Sequence, residues 1–343
     1  MTAPLPVGKL PAEHLQALLG KYAPLDHRVV VGPRVGEDAA VIDMGDRYLV
    51  ATTDPVTFAT DELGWYALHV NANDLAVRGA RPRWFLATLL LPEGRTLSAD
   101  VEALFAGLGD ACRELGVSLV GGHTEVTAGL PRPIAVGAML GEVARDRLVT
   151  TAGALVGDAL LLTKGVPIEG AAIIARERGD EARRRGVPAD VIERARGFLR
   201  APGISVVPDA AVACGAARVH AMHDPTEGGL ATACRELAEA GAVGCRVERE
   251  RVPVPAEAEA LCAAFGLDPL GTIASGALLL AVDFGEAERV IDACAAAGIA
   301  CGAIGRVTAR EAGVVLVAGG REAPMPAYPQ DEISRLFAEG DRP

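Results

Sequence analysis

Four short acid-bearing segments hold the side chains best suited to chemistry. They are Val35-Gly36-Glu37-Asp38-Ala39-Ala40, Thr52-Thr53-Asp54-Pro55-Val56, Asn71-Ala72-Asn73-Asp74-Leu75-Ala76 and His223-Asp224-Pro225-Thr226-Glu227-Gly228-Gly229. Each falls where a strand or turn meets small residues, and the carboxylates read as lacking a basic partner beside them. A magnesium ion shared with a triphosphate needs such a set, because magnesium takes oxygen ligands from one or two carboxylates and from phosphate groups.

Every one of these acids also has a structural reading. Asp38, on the turn that opens with Gly36, could bond its own turn amides. Asp54 is expected at a strand end, where Pro55 imposes an extended or turn geometry and either a ligand contact or a turn cap fits. Asp74 lies in an apolar helical stretch, where an unpartnered charge is costly. Arg78 could pair with it at i+4, but the three companion acid segments favour a ligand role for Asn73-Asp74.

Three loops add candidates. Gly121-Gly122-His123-Thr124-Glu125 follows a short strand expected to be buried and has the flexibility of a phosphate or metal loop, while His123 alone reads as structural. In Asp224-Pro225-Thr226-Glu227-Gly228-Gly229, Thr226 could cap a helix. The two glycines would leave first-turn amides uncovered for an anion. Lysine is rare here, only Lys9, Lys21 and Lys164 among 33 basic residues. Lys164 sits in the glycine-flanked turn Thr163-Lys164-Gly165, which is not a Walker A loop. It could meet a phosphate or lie on the surface.

The elements that must position these groups follow from periodicity. Trp65, Leu68, Ala72 and Leu75 form the apolar stripe of a helix over Glu62–Arg78, with Asn71, Asp74 and Arg78 on a different face. Strands are expected at 28–31, 39–43, 48–53, 83–91, 118–120 and 134–143, with a helix at 98–115. The stretch 145–157 reads as a junction. A second series begins with a strand at 159–163 and includes a helix over Glu227–Ala240. The fold class is α/β (α+β) in two domains, 1–145 and 150–325, followed by a tail at 326–343.

Composition narrows the classes. A net charge of −12 argues against nucleic-acid binding, which rests on basic residues. The apolar runs are too short to span a bilayer, and the N-terminus does not read as a signal peptide. Seven cysteines without a CxxC pair suggest reduced, mostly buried thiols in a cytoplasmic protein, and disfavour zinc.

In order, Glu37-Asp38-Ala39-Ala40-Val41, Thr53-Asp54, Asn73-Asp74-Leu75-Ala76, Gly121-Gly122-x-Thr124 and Asp224-Pro225-Thr226-x-Gly228-Gly229 resemble the aminoimidazole-ribonucleotide-synthetase-related superfamily. That superfamily includes thiamine-monophosphate kinase, selenophosphate synthetase and HypE-type hydrogenase maturation proteins. The likeness is greatest to the HypE type, a carbamoyl dehydratase. The resemblance implies an N-terminal mixed sheet that pairs in a homodimer, a sandwich-like α/β C-terminal domain, and ATP in a cleft between domains. By the same resemblance Asp38, Asp54 and Asp74 are magnesium ligands, and Asp74 and Asp224 catalytic groups; Lys164 joins the catalytic candidates from its own glycine-flanked turn. Asn73, Gly121, Gly122, Thr124, Thr226, Gly228 and Gly229 would contact the nucleotide. The implied chemistry is phosphorylation of a carbonyl or amide oxygen on a small-molecule or protein-borne substrate. A non-catalytic maturation partner and a small-molecule kinase are the alternatives. The Pro-Arg-Ile-Cys ending of the HypE type is not seen in Glu339-Gly340-Asp341-Arg342-Pro343, so self-carriage of the carbamoyl group is not expected.

Overall fold

The computed structural model describes residue 10 and residues 12–21, 26–34, 36–57 and 62–338. Gly8, Lys9, Pro11, Val35 and the ending 339–343 lie outside the described residues. The chain forms two compact units, one built from Asp38–Leu148 with Pro24–Pro33, the other from Val149 onward with the flanking N-terminal segments. Helix α1 (Ala12–Leu19) groups with the second unit.

The first unit holds β1 (Val29–Val31), β2 (Ala40–Asp43), β3 (Arg47–Val56), α2 (Leu63–Ala76), β4 (Arg81–Pro92), α3 (Ser98–Leu115), β5 (Ser118–Thr127) and β6 (Ile134–Ala144). Its six-stranded sheet has the order β1-β2-β3-β6-β4-β5, with only the β4/β5 pair parallel. Alternate residues of β6 are buried, the pattern of a strand with one covered face.

Helix α2 can approach that sheet because two glycines leave room. A Cβ at Gly137 would lie 2.2 Å from Asn71 Nδ2, and one at Gly141 would lie 2.6 Å from Leu75 Cδ2. The expected stripe Trp65, Leu68, Ala72 and Leu75 is buried, each large apolar side chain contributing about 2–3 kcal/mol. The other faces differ from the amphipathic expectation. His69, Asn71, Asn73, Asp74 and Arg78 are buried too, so their polar groups must find partners inside the protein.

Two strands run further than expected. β3 continues through Pro55, whose partner is Val136 on β6; β2 ends at the Ala40–Ala51 pair, so the proline's missing N–H removes no bond on the β2 side. β5 is a ten-residue edge strand, exposed along nearly its whole length, where a short buried strand and a loop were expected. Phe85 pairs with Leu119 but Leu86 with Gly121, which makes Val120 the extra residue of a bulge. Gly122 then passes so close to β4 that a Cβ would lie 2.0 Å from Ala87 O.

The second unit holds β7 (Ala159–Thr163), α4 (Ile168–Glu177), α5 (Gly179–Arg184), α6 (Ala189–Arg196), α7 (Val207–Ala216), β8 (Val219–His223), α8 (Gly229–Gly241), β9 (Gly244–Glu248), α9 (Ala256–Phe265), β10 (Leu279–Val282), α10 (Ala287–Ala296), β11 (Cys301–Thr308), β12 (Val314–Ala318), β13 (Arg321–Pro324) and α11 (Ser334–Ala338). Its sheet order is β13-β12-β9-β11-β7-β10-β8. β7 and β10 are buried throughout, and Leu230, Cys234 and Leu237 of α8 pack into the same core as Leu160, Leu279 and Ile304. The mixed α/β, two-domain expectation is thus met.

All seven cysteines are free thiols, and burial pushes those of Cys245 and Cys262 up to about 12. Among the described residues no helix is long and apolar enough to cross a membrane.

Candidate functional site

In the first unit, three of the sequence candidates are organised by α2 and β3. The Thr52 hydroxyl lies 2.6 Å from Asp74 Oδ2 and 2.9 Å from the Asp38 carbonyl oxygen, so one side chain ties the helix acid to the glycine-turn acid. Asp74 is 5% exposed. Asn71 receives the Asp54 N–H at 2.9 Å and donates from Nδ2 to Asp54 O at 3.2 Å and Ala67 O at 2.8 Å. It therefore clamps the β3 backbone at Asp54, whose side chain shares a sheet face with Thr52 by strand alternation.

Arg78 supplies the basic partner that the sequence reading did not find. Its guanidinium is fully buried and donates from Nη2 to Asp38 Oδ2 at 3.0 Å. The i+4 pairing of Asp74 with Arg78 was the expected structural alternative; Arg78 also reaches beyond its own segment, to Asp38. Asn71 and Asp74 on α2, and Arg78 in the turn just after it, thus reach β3 and the Asp38 turn from one side. Asn73 is also buried.

In the second unit, Asp224 is buried just after β8, and His223 Nε2 lies 2.7 Å from Glu236 Oε2. The turn that follows departs from expectation. Helix α8 begins at Gly229, not at Glu227, with Gly228 as its N-cap in the left-handed region. The amides of the glycine pair are not uncovered: Gly228 N–H donates to Asp331 Oδ2 at 2.6 Å and Gly229 N–H to Thr226 O at 2.9 Å. Both residues have positive φ, and a Cβ at Gly229 would lie 2.6 Å from Leu270 O. The double glycine is explained by that geometry.

Lys164 requires correction. Its ammonium is 6% exposed, lies 3.0 Å from Asp209 Oδ2 and donates to Ser205 O at 2.6 Å. Burial holds it below the usual lysine range, and Asp209 opposes that shift without reversing it. It is a buried ion pair, not an exposed phosphate contact. Gly121, Gly122 and Thr124 belong to the edge strand β5, not to a loop. His123 and Glu125 there form an exposed pair 3.0 Å apart.

Four residues in these contacts escaped the sequence reading in their observed roles: Thr52, Arg78, Glu236 and Asp331. An arginine at the end of an apolar helical pattern was a usable signal for Arg78. Asp331 gave none, since its partner Gly228 is 103 positions away.

Residues 36–143 match the AIR synthase related protein, N-terminal domain, and residues 156–318 its C-terminal domain. The chain belongs to the AIR synthase-related family. Among relatives of this AIR synthase-related chain, a putative hydrogenase expression/formation protein of Methanocaldococcus jannaschii is 30% identical over 75% of this chain and 74% of its own. The carbamoyl dehydratase HypE of Rhodobacter capsulatus is 32% identical over 81% and 80%. Two solved structures share the fold. A HypE–HypF complex aligns with a TM-score of 0.74 at 20% identity, covering 91% of this chain and 98% of that one. A hydrogenase maturation protein HypE in complex with ATP aligns with a TM-score of 0.66 at 24% identity, covering 93% and 91%.

Proposed function

We propose that the chain is a magnesium-dependent, ATP-using enzyme that phosphorylates a carbonyl or amide oxygen of a small-molecule or protein-borne substrate. The observation that carries this is the Thr52 bridge between Asp74 and Asp38, because it holds a buried carboxylate against a second acid segment. The donor set fits the ion: the side chains offered are carboxylates, and carboxylate oxygens suit magnesium. Asp38, Asp54 and Asp74 would hold it, and bound magnesium would neutralise charge developing on the phosphates. Arg78 orients Asp38, Thr52 orients Asp74, and Asn71 fixes the backbone that carries Asp54. Asp224 is assigned to the same chemistry. The ATP-bound HypE and the dehydratase names of the relatives support this reading. The HypE–HypF complex favours a protein-borne substrate.

Calorimetry tests the proposal. ATP with magnesium should bind, and chelating the metal should weaken binding about tenfold or more. No binding heat at millimolar ATP with magnesium would overturn it. A screen for ADP release against carbonyl, amide and phosphate compounds then identifies the acceptor.

The assembly we propose is a cytoplasmic homodimer formed through β5. This ten-residue edge strand exposes Leu119, Val120 and Val126, the kind of surface that another strand covers. Sedimentation equilibrium should give the mass of two chains, and Val120→Lys should shift it to one. A wild-type monomer at tens of micromolar rules the dimer out.

A further inference from the structure

Two backbone amides from separate stretches of the second unit converge on one buried carboxyl group. Asp331 accepts the Gly228 N–H at 2.6 Å on Oδ2 and the Ile333 N–H at 2.8 Å on Oδ1. The residue is 9% exposed. Burial pushes its pKa up to about 6 against the pull of these amides, and the nearby Glu227 carboxylate adds to the rise.

The segment carrying Asp331 is clasped along its length. Met325 and Ile333 are buried, and Arg235 donates to Met325 O. The Tyr328 hydroxyl donates to the Asp268 carboxylate, and its ring lies where a Cβ on Gly271 would be, 2.5 Å from ring atoms. Glu332 N–H reaches Gly271 O at 3.1 Å, and Arg178 Nη2 reaches Leu336 O at 2.7 Å. The carbonyls of Leu270 and Thr272, on either side of Gly271, are the atoms a Cβ on Gly229 would strike. Gly228 and Gly229 are therefore held between the tail and the 270–272 stretch, Gly228 by a hydrogen bond and Gly229 by contact.

We propose that Asp331 is a positioning residue: the segment 325–337 acts as a latch whose carboxyl group fixes the Gly228-Gly229 turn and so holds Asp224, four residues upstream, in place. The part concerning Asp224 rests on the nucleotide-site reading above. The latch itself does not. Because the folded-state pKa of Asp331 is raised, its contribution is greatest when the group is protonated and falls as pH rises through about 6.

Amide hydrogen exchange on the nucleotide-free protein tests the latch directly. Asp331→Ala should cost residues 228–232 about tenfold in protection while leaving Leu160 and Leu161 unchanged, the loss expected for one hydrogen bond to a buried acid. Asp331→Asn keeps an acceptor and should restore that protection. Between pH 5 and 7, after correction for intrinsic exchange, wild-type protection should decline and that of the Asn variant should stay level. Turnover should fall about tenfold in the Ala variant and recover in the Asn variant. Unchanged protection in Asp331→Ala overturns the latch. Lost protection with unchanged turnover overturns the positioning of Asp224. Failure of the wild type to bind magnesium–ATP sinks only the nucleotide reading, and the exchange comparison still decides on the latch.

Discussion

Asparagine in place of Asp74 is expected to lower magnesium-dependent ATP turnover by about 100-fold or more while leaving the fold intact. The substitution conserves volume, and its Oδ1 can still accept the Thr52 hydroxyl that now lies 2.6 Å from Asp74 Oδ2. What it removes is a negative charge on a residue only 5% exposed. Because volume and the Thr52 acceptor are kept, the metal-free variant should melt close to the wild-type temperature, while the added stability that magnesium–ATP gives the wild type should shrink. Lost activity and lost ligand-dependent stability without lost intrinsic stability mark a residue retained for a ligand. Thermal melts with and without magnesium–ATP, alongside steady-state turnover, read both. Equal turnover in the two proteins would remove Asp74 from the site.

The same helix shows how far the sequence could be read. Periodicity placed α2 and its Trp65–Leu75 stripe because an apolar stripe is a local property of a helix. It also put Asn71, Asp74 and Arg78 on one face, and these residues meet Thr52, Asp38 and the Asp54 backbone. The burial of its other faces was not legible, since it depends on distant partners: Gly137 and Gly141 of β6, over 60 positions away, admit Asn71 and Leu75, and α3 packs closely at Gly64. Glycine misled elsewhere for a related reason. Gly121-Gly122 and Gly228-Gly229 look alike as flexible anion loops, yet one pair follows a strand bulge, and in the other Gly228 is crowded by the Thr232 side chain and Gly229 by the Leu270 and Thr272 carbonyls. A glycine records only that a side chain is not tolerated. Which neighbour forbids it is a tertiary fact. Strand ends were blurred in the same way: Pro55 reads as a stop, but β3 passes through it because its neighbour β2 has already ended.

Lys164 gives the second large effect, and its result separates a structural ion pair from a phosphate contact. The rarity of lysine drew attention to this position, but rarity does not distinguish the two roles. Lys164 is 6% and Asp209 1% exposed, with the ammonium and carboxylate 3.0 Å apart. Removing one partner of such a pair strands the other charge in a poorly solvating interior, which typically costs about 3–5 kcal/mol. Lys164→Met should therefore lower the melting temperature of the second unit by roughly 6–20 °C. Because the loss comes from the stranded acid, Lys164→Met combined with Asp209→Asn should recover most of it, a coupling that a double-mutant cycle measures. Held well below its melting temperature, the single variant should bind magnesium–ATP as the wild type does, since its ammonium is already committed to Asp209 and to the Ser205 and Gly203 carbonyls. An unchanged melting temperature with weakened ATP binding would restore Lys164 to the nucleotide site. The opposite outcome assigns this lysine to the interior, where the attraction of Asp209 keeps a charge that burial alone would expel.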